Sequence, residues 1–137
     1  VSSLLTAVYQ RYQFHGVNSS ASVAATATML KSLIAAEDAL LATDPNFLLG
    51  KWIADARSLA SSDAERDLFE FNARNQITMW GPAENIEDYA GKEWSGLVGD
   101  YYNGRWTLLL DRLVASVEQG TAMDFDKYEA DRLAYEQ

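Results

Sequence analysis

An all-α bundle of about six helices is the fold this sequence predicts. Three observations lead there. Proline occurs only twice in 137 residues, and the chain is rich in alanine, leucine and glutamate, all good helix formers. Apolar residues recur at three- and four-residue spacing in one segment after another. No run shows the strict alternation of a half-buried strand, and there is no internal repeat or low-complexity tract. The length fits one domain over residues 1–137.

The elements follow in order. Val1 to Phe14 carries Leu4, Leu5, Val8, Tyr9 and Tyr12 at helical spacing. Gly16, Asn18 and the serines after them form a break. A long second helix runs from about Ser20 to Ala42, with Val23, Ala27, Leu30, Ile34 and Leu41 as its stripe and Leu33 and Leu40 widening the face. Glu37 falls on that stripe, and the simplest reading puts it at the helix edge with its carboxylate in water. Thr43-Asp44-Pro45-Asn46 stops one helix and opens the next. Phe47 to Ala60 is the third helix, with Trp52 and Ile53 among its apolar residues. Ser62, followed three residues later by Glu65, has the spacing of a capping box and starts a fourth helix. That helix runs to about Met79, with Leu68, Phe71, Asn75 and Met79 on one face. Trp80-Gly81-Pro82 breaks it, and Trp80 to Glu87 is a loop. A fifth helical stretch is predicted from near Asp88, carrying Trp94, Leu97, Val98 and Tyr101. Tyr102-Asn103-Gly104-Arg105 is its weak point, because Asn-Gly favours turns. The pattern resumes from Trp106 to Val117, with Gly120 as its C-cap. A last helix spans Asp124 to Ala134.

Composition excludes several functions. Eleven basic residues against 20 acidic ones give a net charge of −9. Nucleic acid and anionic membrane surfaces both require a basic stripe, so neither is an expected partner. Without cysteine there is no disulfide framework, thiol nucleophile or thiolate metal site. One histidine, His15, leaves at most one imidazole base. No signal-peptide pattern appears, and no apolar run approaches the ~18 residues of a membrane span. The chain opens on Val1 inside a helical pattern, as a piece of a longer polypeptide would.

The catalytic options within the chain are few. There is no G-x-S-x-G elbow and no Gly-rich phosphate loop. Asp124, Asp126 and Glu129 lack EF-hand spacing and instead suit a helix start, where negative charge meets the positive end of the dipole. Glu84, Glu87, Asp88 and Glu93 cluster after Trp80. A carboxylate pair for glycoside hydrolysis needs two environments that separate the pKa values, whereas capping and solvation account for these acids. Aromatic residues concentrate between Trp80 and Trp106. Trp94 and Tyr101 keep helical spacing and suit the core. Trp80 and Tyr89 sit on or beside a loop, outside the periodic pattern, where an aromatic ring suits a ligand pocket.

Three phrases carry a resemblance. They are Phe47-Leu48-Leu49-Gly50-Lys51-Trp52, then Asn72-Ala73-Arg74-Asn75-Gln76-Ile77-Thr78-Met79-Trp80-Gly81-Pro82, and then Asp88-Tyr89-Ala90-Gly91-Lys92-Glu93-Trp94-Ser95-Gly96-Leu97-Val98 leading into Tyr101-Tyr102 and Arg105-Trp106. In this order they resemble the C-terminal helical domain of the α-N-acetylglucosaminidases, the family that includes the lysosomal enzyme of heparan sulfate breakdown. The resemblance is good over about Leu30 to Gly120 and looser at both ends. It implies a fragment of a larger multidomain glycoside hydrolase that removes terminal α-linked N-acetylglucosamine with retention. The catalytic glutamates would lie on a (β/α)8 barrel of the same polypeptide, which this chain lacks, so the fragment alone is expected to be inactive. The resemblance also implies that Trp80, Ile86 and Tyr89 line the N-acetylglucosamine pocket, and that Arg74, Gly81, Pro82 and Arg105 support it. The barrel and terminal N-acetylglucosamine glycans would be its partners. It implies no metal or organic cofactor, and a lysosomal or exported location. The alternative is a stand-alone helical module that binds glycan or protein.

Overall fold

The computed structural model describes residues 20–80, 86–88 and 90–136. Its α-helices are α1 (Ser20–Leu41), α2 (Leu49–Ser58), α3 (Asp63–Ile77), α4 (Asn103–Gln119) and α5 (Phe125–Glu136). A 3-10 turn, Pro45–Phe47, precedes α2, and a π-helical segment, Leu97–Tyr102, runs directly into α4. Two short strands, β1 (Met79–Trp80) and β2 (Ile86–Glu87), pair antiparallel, Met79 opposite Glu87 and Trp80 opposite Ile86. The all-α reading therefore holds. The helix expected over Val1 to Phe14, and His15, lie outside the described residues.

Local chemistry sets most of the helix ends. Asp44 accepts a hydrogen bond from the Asn46 N–H at 2.9 Å, and Pro45 follows it as the first helical residue. Ser62 Oγ accepts from the Glu65 N–H at 3.2 Å. Glu65 reaches back to the Ser61 N–H at 2.7 Å, one residue earlier than a standard capping box. Asp124 Oδ1 accepts from the Lys127 N–H at 2.9 Å and so caps α5. Gly120 closes α4 in the left-handed conformation at φ 65°.

The core lies between α1, the π segment and α4. Ala27, Leu30 and Ile34 of α1 meet Val98, Leu110 and Leu113, and Met123 seals the end from the loop before α5. Leu33 and Leu40 do not widen this face: they are 39% and 70% exposed. The π segment and α4 together cover only a narrow stripe of α1, and these two residues flank it. On α3 the buried residues are Ala73 and Ile77, while Leu68 and Phe71 face outward. The reason is that α3 packs on α2 through the side that carries Ala73. There the Trp52 Nε1–H donates to the Ala73 carbonyl at 3.0 Å.

The predicted helix from Asp88 is corrected. Asp88 and residues 90–96 form turns and extended chain, and helix begins only at Leu97. Asp88, Gly91 and Gly96 all have positive φ, which a right-handed helix does not accept. The extended chain instead bridges to the start of α2. The Leu49 N–H donates to the Ser95 carbonyl at 3.0 Å, and the Ser95 N–H to the Phe47 carbonyl at 2.8 Å. The break expected at Tyr102–Arg105 is absent too, because the π segment and α4 are continuous there. Gly104 serves packing rather than a turn. The Tyr135 ring of α5 lies where a Cβ at residue 104 would stand, and its hydroxyl donates to the Asp100 carbonyl at 2.8 Å.

Candidate functional site

The hairpin of β1 and β2 grows directly from the end of α3. Side chains alternate across a strand, so Met79 is buried at 3% exposure while Trp80 is 39% exposed. The strand pairing places the Ile86 backbone opposite Trp80. Gly81, Pro82, Glu84 and Tyr89 lie outside the described residues. Of the three expected pocket residues, the structure thus brings Trp80 and the Ile86 backbone together and does not address Tyr89.

The hairpin ends at Asp88. Its N–H donates to the Thr78 carbonyl at 2.8 Å, and its own carbonyl accepts from the Gly91 N–H at 2.9 Å. The carboxylate takes a two-pronged bond from Arg105 on α4, Nη1 to Oδ2 at 2.5 Å and Nη2 to Oδ1 at 3.1 Å. Asp88 is therefore held by an arginine, not by a helix start or by solvent as expected.

Arg105 is the centre of a wider network. Its Nε donates to Glu136 at 2.5 Å and its Nη2 to the Tyr101 hydroxyl at 2.9 Å. The guanidinium also sits over two rings, 4.9 Å from the centre of Tyr101 and 5.4 Å from that of Tyr102. The Glu136 side chain has no exposed surface, and it accepts a second bond from Arg132 at 2.8 Å. Arg132 in turn pairs with Glu129. Burial lowers the pKa of Arg105, but the bonds and charge of Asp88 more than offset this and hold it above its ordinary value. Burial pushes the Tyr102 hydroxyl up to about 12, so both groups keep one protonation state over the physiological range. The spacing of Glu129, Arg132 and Glu136 places all three on one side of α5. That signal was present in the sequence, yet nothing local ties it to an arginine 31 residues away.

Arg74 is half exposed and pairs with Glu70 through Nε and Nη2, at 2.9 and 2.7 Å. It borders a cavity of about 290 Å³ that Phe71, Asn75, Met79, Tyr101 and Glu136 also line. No group of three or more metal-ligating side chains stands together among the described residues. No helix among them is long and apolar enough to cross a membrane.

Comparison with known proteins gives these features a family. A family model described as the alpha-N-acetylglucosaminidase (NAGLU) C-terminal domain matches residues 1–137. The human protein named alpha-N-acetylglucosaminidase is 47% identical over 104 residues, which is 76% of this chain and 14% of that protein. A solved structure of a family 89 glycoside hydrolase from Clostridium perfringens, in complex with PUGNAc, matches with a TM-score of 0.71 and 32% identity. That match covers 98% of this chain and 17% of the solved one. The chain thus spans about one sixth or less of the relatives it matches. By its full-length match and by its fold, this chain belongs to the family of alpha-N-acetylglucosaminidase C-terminal domains of the glycoside hydrolases.

Proposed function

We infer that this domain completes the substrate pocket of an enzyme that removes terminal α-linked N-acetylglucosamine. In this reading it packs on a catalytic barrel of the same polypeptide, which supplies both catalytic glutamates. Trp80, Ile86 and Tyr89 would line the pocket, the rings stacking on the sugar and Ile86 meeting the acetamido methyl. The observation that carries the reading is the outward Trp80, set on a hairpin at the end of α3 in a chain that matches the family along its whole length. Leu68 and Phe71, more than half exposed and three residues apart on α3, suit a surface that another domain covers. A lysosomal or exported setting fits the same reading.

The test uses the full-length enzyme and an aryl α-N-acetylglucosaminide. Trp80→Ala and Tyr89→Ala should each lower kcat/KM by about ten- to a hundred-fold, since a stacked ring contributes about 1–3 kcal/mol. Unchanged kcat/KM in both variants would refute the pocket assignment. The isolated 137-residue chain should show no turnover, and turnover by it would refute the dependence on a barrel.

A further inference from the structure

Strands of two residues cannot hold themselves in place, and an isolated hairpin of any length is marginal in water. Something beyond the ladder must therefore set the pose of Trp80 and of the chain that follows β2. Asp88 stands at that point. Its φ of 52° is left-handed, a conformation that aspartate tolerates better than most residues with a side chain. The Arg105 fork grips its carboxylate in two places. Arg105 is itself fixed by Glu136 and by the Tyr101 and Tyr102 rings. Glu136 is pinned in turn by Arg132. An unbroken chain of charged contacts thus runs from α5 through α4 to the closing residue of the hairpin.

We propose that Asp88 is a positioning residue for the sugar pocket: gripped by Arg105, its carboxylate sets the pose of the paired strands that carry Trp80 and the Ile86 backbone. This rests on the reading that Trp80, Ile86 and Tyr89 line the pocket. Asp88 does not touch substrate. Its contribution is to hold the Trp80 ring in place before the substrate arrives, so that binding need not order it.

Asp88→Asn in the full-length enzyme is the cleanest probe. It keeps the size of the side chain and its tolerance of the left-handed region, but removes the charge that the arginine fork grips. KM for the aryl glycoside should rise about ten-fold with kcat falling less than about three-fold, the pattern of lost binding rather than lost chemistry. Amide exchange across residues 86–91 should quicken by about ten-fold, as local opening becomes easier. Arg105→Lys should reproduce both effects, because a lysine cannot form the two-pronged bond. A purely structural role would lower the yield of active enzyme and leave KM and the exchange rates as they were; that result overturns the proposal. Trp80→Ala separates the two ideas. If it raises KM and Asp88→Asn does not, the positioning role fails and the pocket reading stands. If neither Trp80→Ala nor Tyr89→Ala changes KM, the pocket reading fails and the positioning role falls with it, even where exchange quickens.

Discussion

Single residues do much of the work where helix gives way to loop. Asp38, near the C-terminal end of α1 and against the start of the π segment, shows how. Its carboxylate accepts from the Gly96 N–H at 2.7 Å and the Gly99 N–H at 2.8 Å, with the Ser95 hydroxyl at 3.3 Å. It caps from a distance the helix that begins at Leu97, satisfying amide groups that have no partner within their own helix. Sequence reading singled out the neighbouring Glu37 and passed over Asp38, because the capped groups lie 58 and 61 residues further on. Gly99 is small for the same reason: a Cβ there would stand 2.7 Å from the Asp38 carboxyl carbon. Gly99→Ala should therefore push the carboxylate off both amides and cost about 1–3 kcal/mol, the penalty for buried donors left unpaired. Thermal unfolding of the variant polypeptide checks this, and an unchanged melting temperature would show that Asp38 can retreat freely.

Between elements, charge ties supplement apolar contact. Glu70 on α3 accepts from Arg74 one turn on and from Arg57 on α2, joining the two helices across their open side. The Arg74 hydrogen bond, and then that of Arg57, hold the Glu70 carboxyl below its ordinary value of 4.5. A carboxyl whose pKa is lowered by folding adds stability that is complete above its unfolded value and fades as pH falls through the folded one. The tie should thus survive mild acidity and weaken only below about pH 4.5, where the unfolded chain takes up the proton first. Glu70→Gln has no such proton to gain. Its melting temperature should start below that of the parent at neutral pH, and the two curves should converge in acid. Parallel curves down to about pH 3 would contradict the assignment.

At the scale of the whole molecule, one core carries most of the stability. Leu110 of α4 is fully buried against α1, whereas Leu40, expected to widen the stripe that carries Leu30, is 70% exposed. Leu110→Ala should cost about 2–5 kcal/mol, the usual range for emptying a packed leucine site. Leu40→Ser should change stability by less than about 0.5 kcal/mol, as exposed substitutions do. Denaturant unfolding of both variants measures the contrast, and equal losses would mean that the apolar stripe of α1 is wider than the core shows.

Helices α1 to α5, their caps and the outward place of Trp80 were legible in the sequence because the forces behind them are local, whereas the helix expected from Asp88 was not formed. A capping serine, a proline at the first turn or a 3.6-residue stripe acts within a few positions of itself. The family was legible as well, in three phrases between Phe47 and Trp106. What the sequence could not determine depends on residues far apart in the chain. Asp88 turns left-handed and ends a hairpin where a helix start was expected, and its carboxylate is gripped by an arginine 17 positions away. Helix continues through Asn103 and Gly104, where the missing side chain makes room for Tyr135 instead of a turn. Exposure of Leu33, Leu40, Leu68 and Phe71 is likewise a matter of which neighbour each helix meets. Local periodicity says which side of a helix is apolar; only packing decides how much of that side is covered.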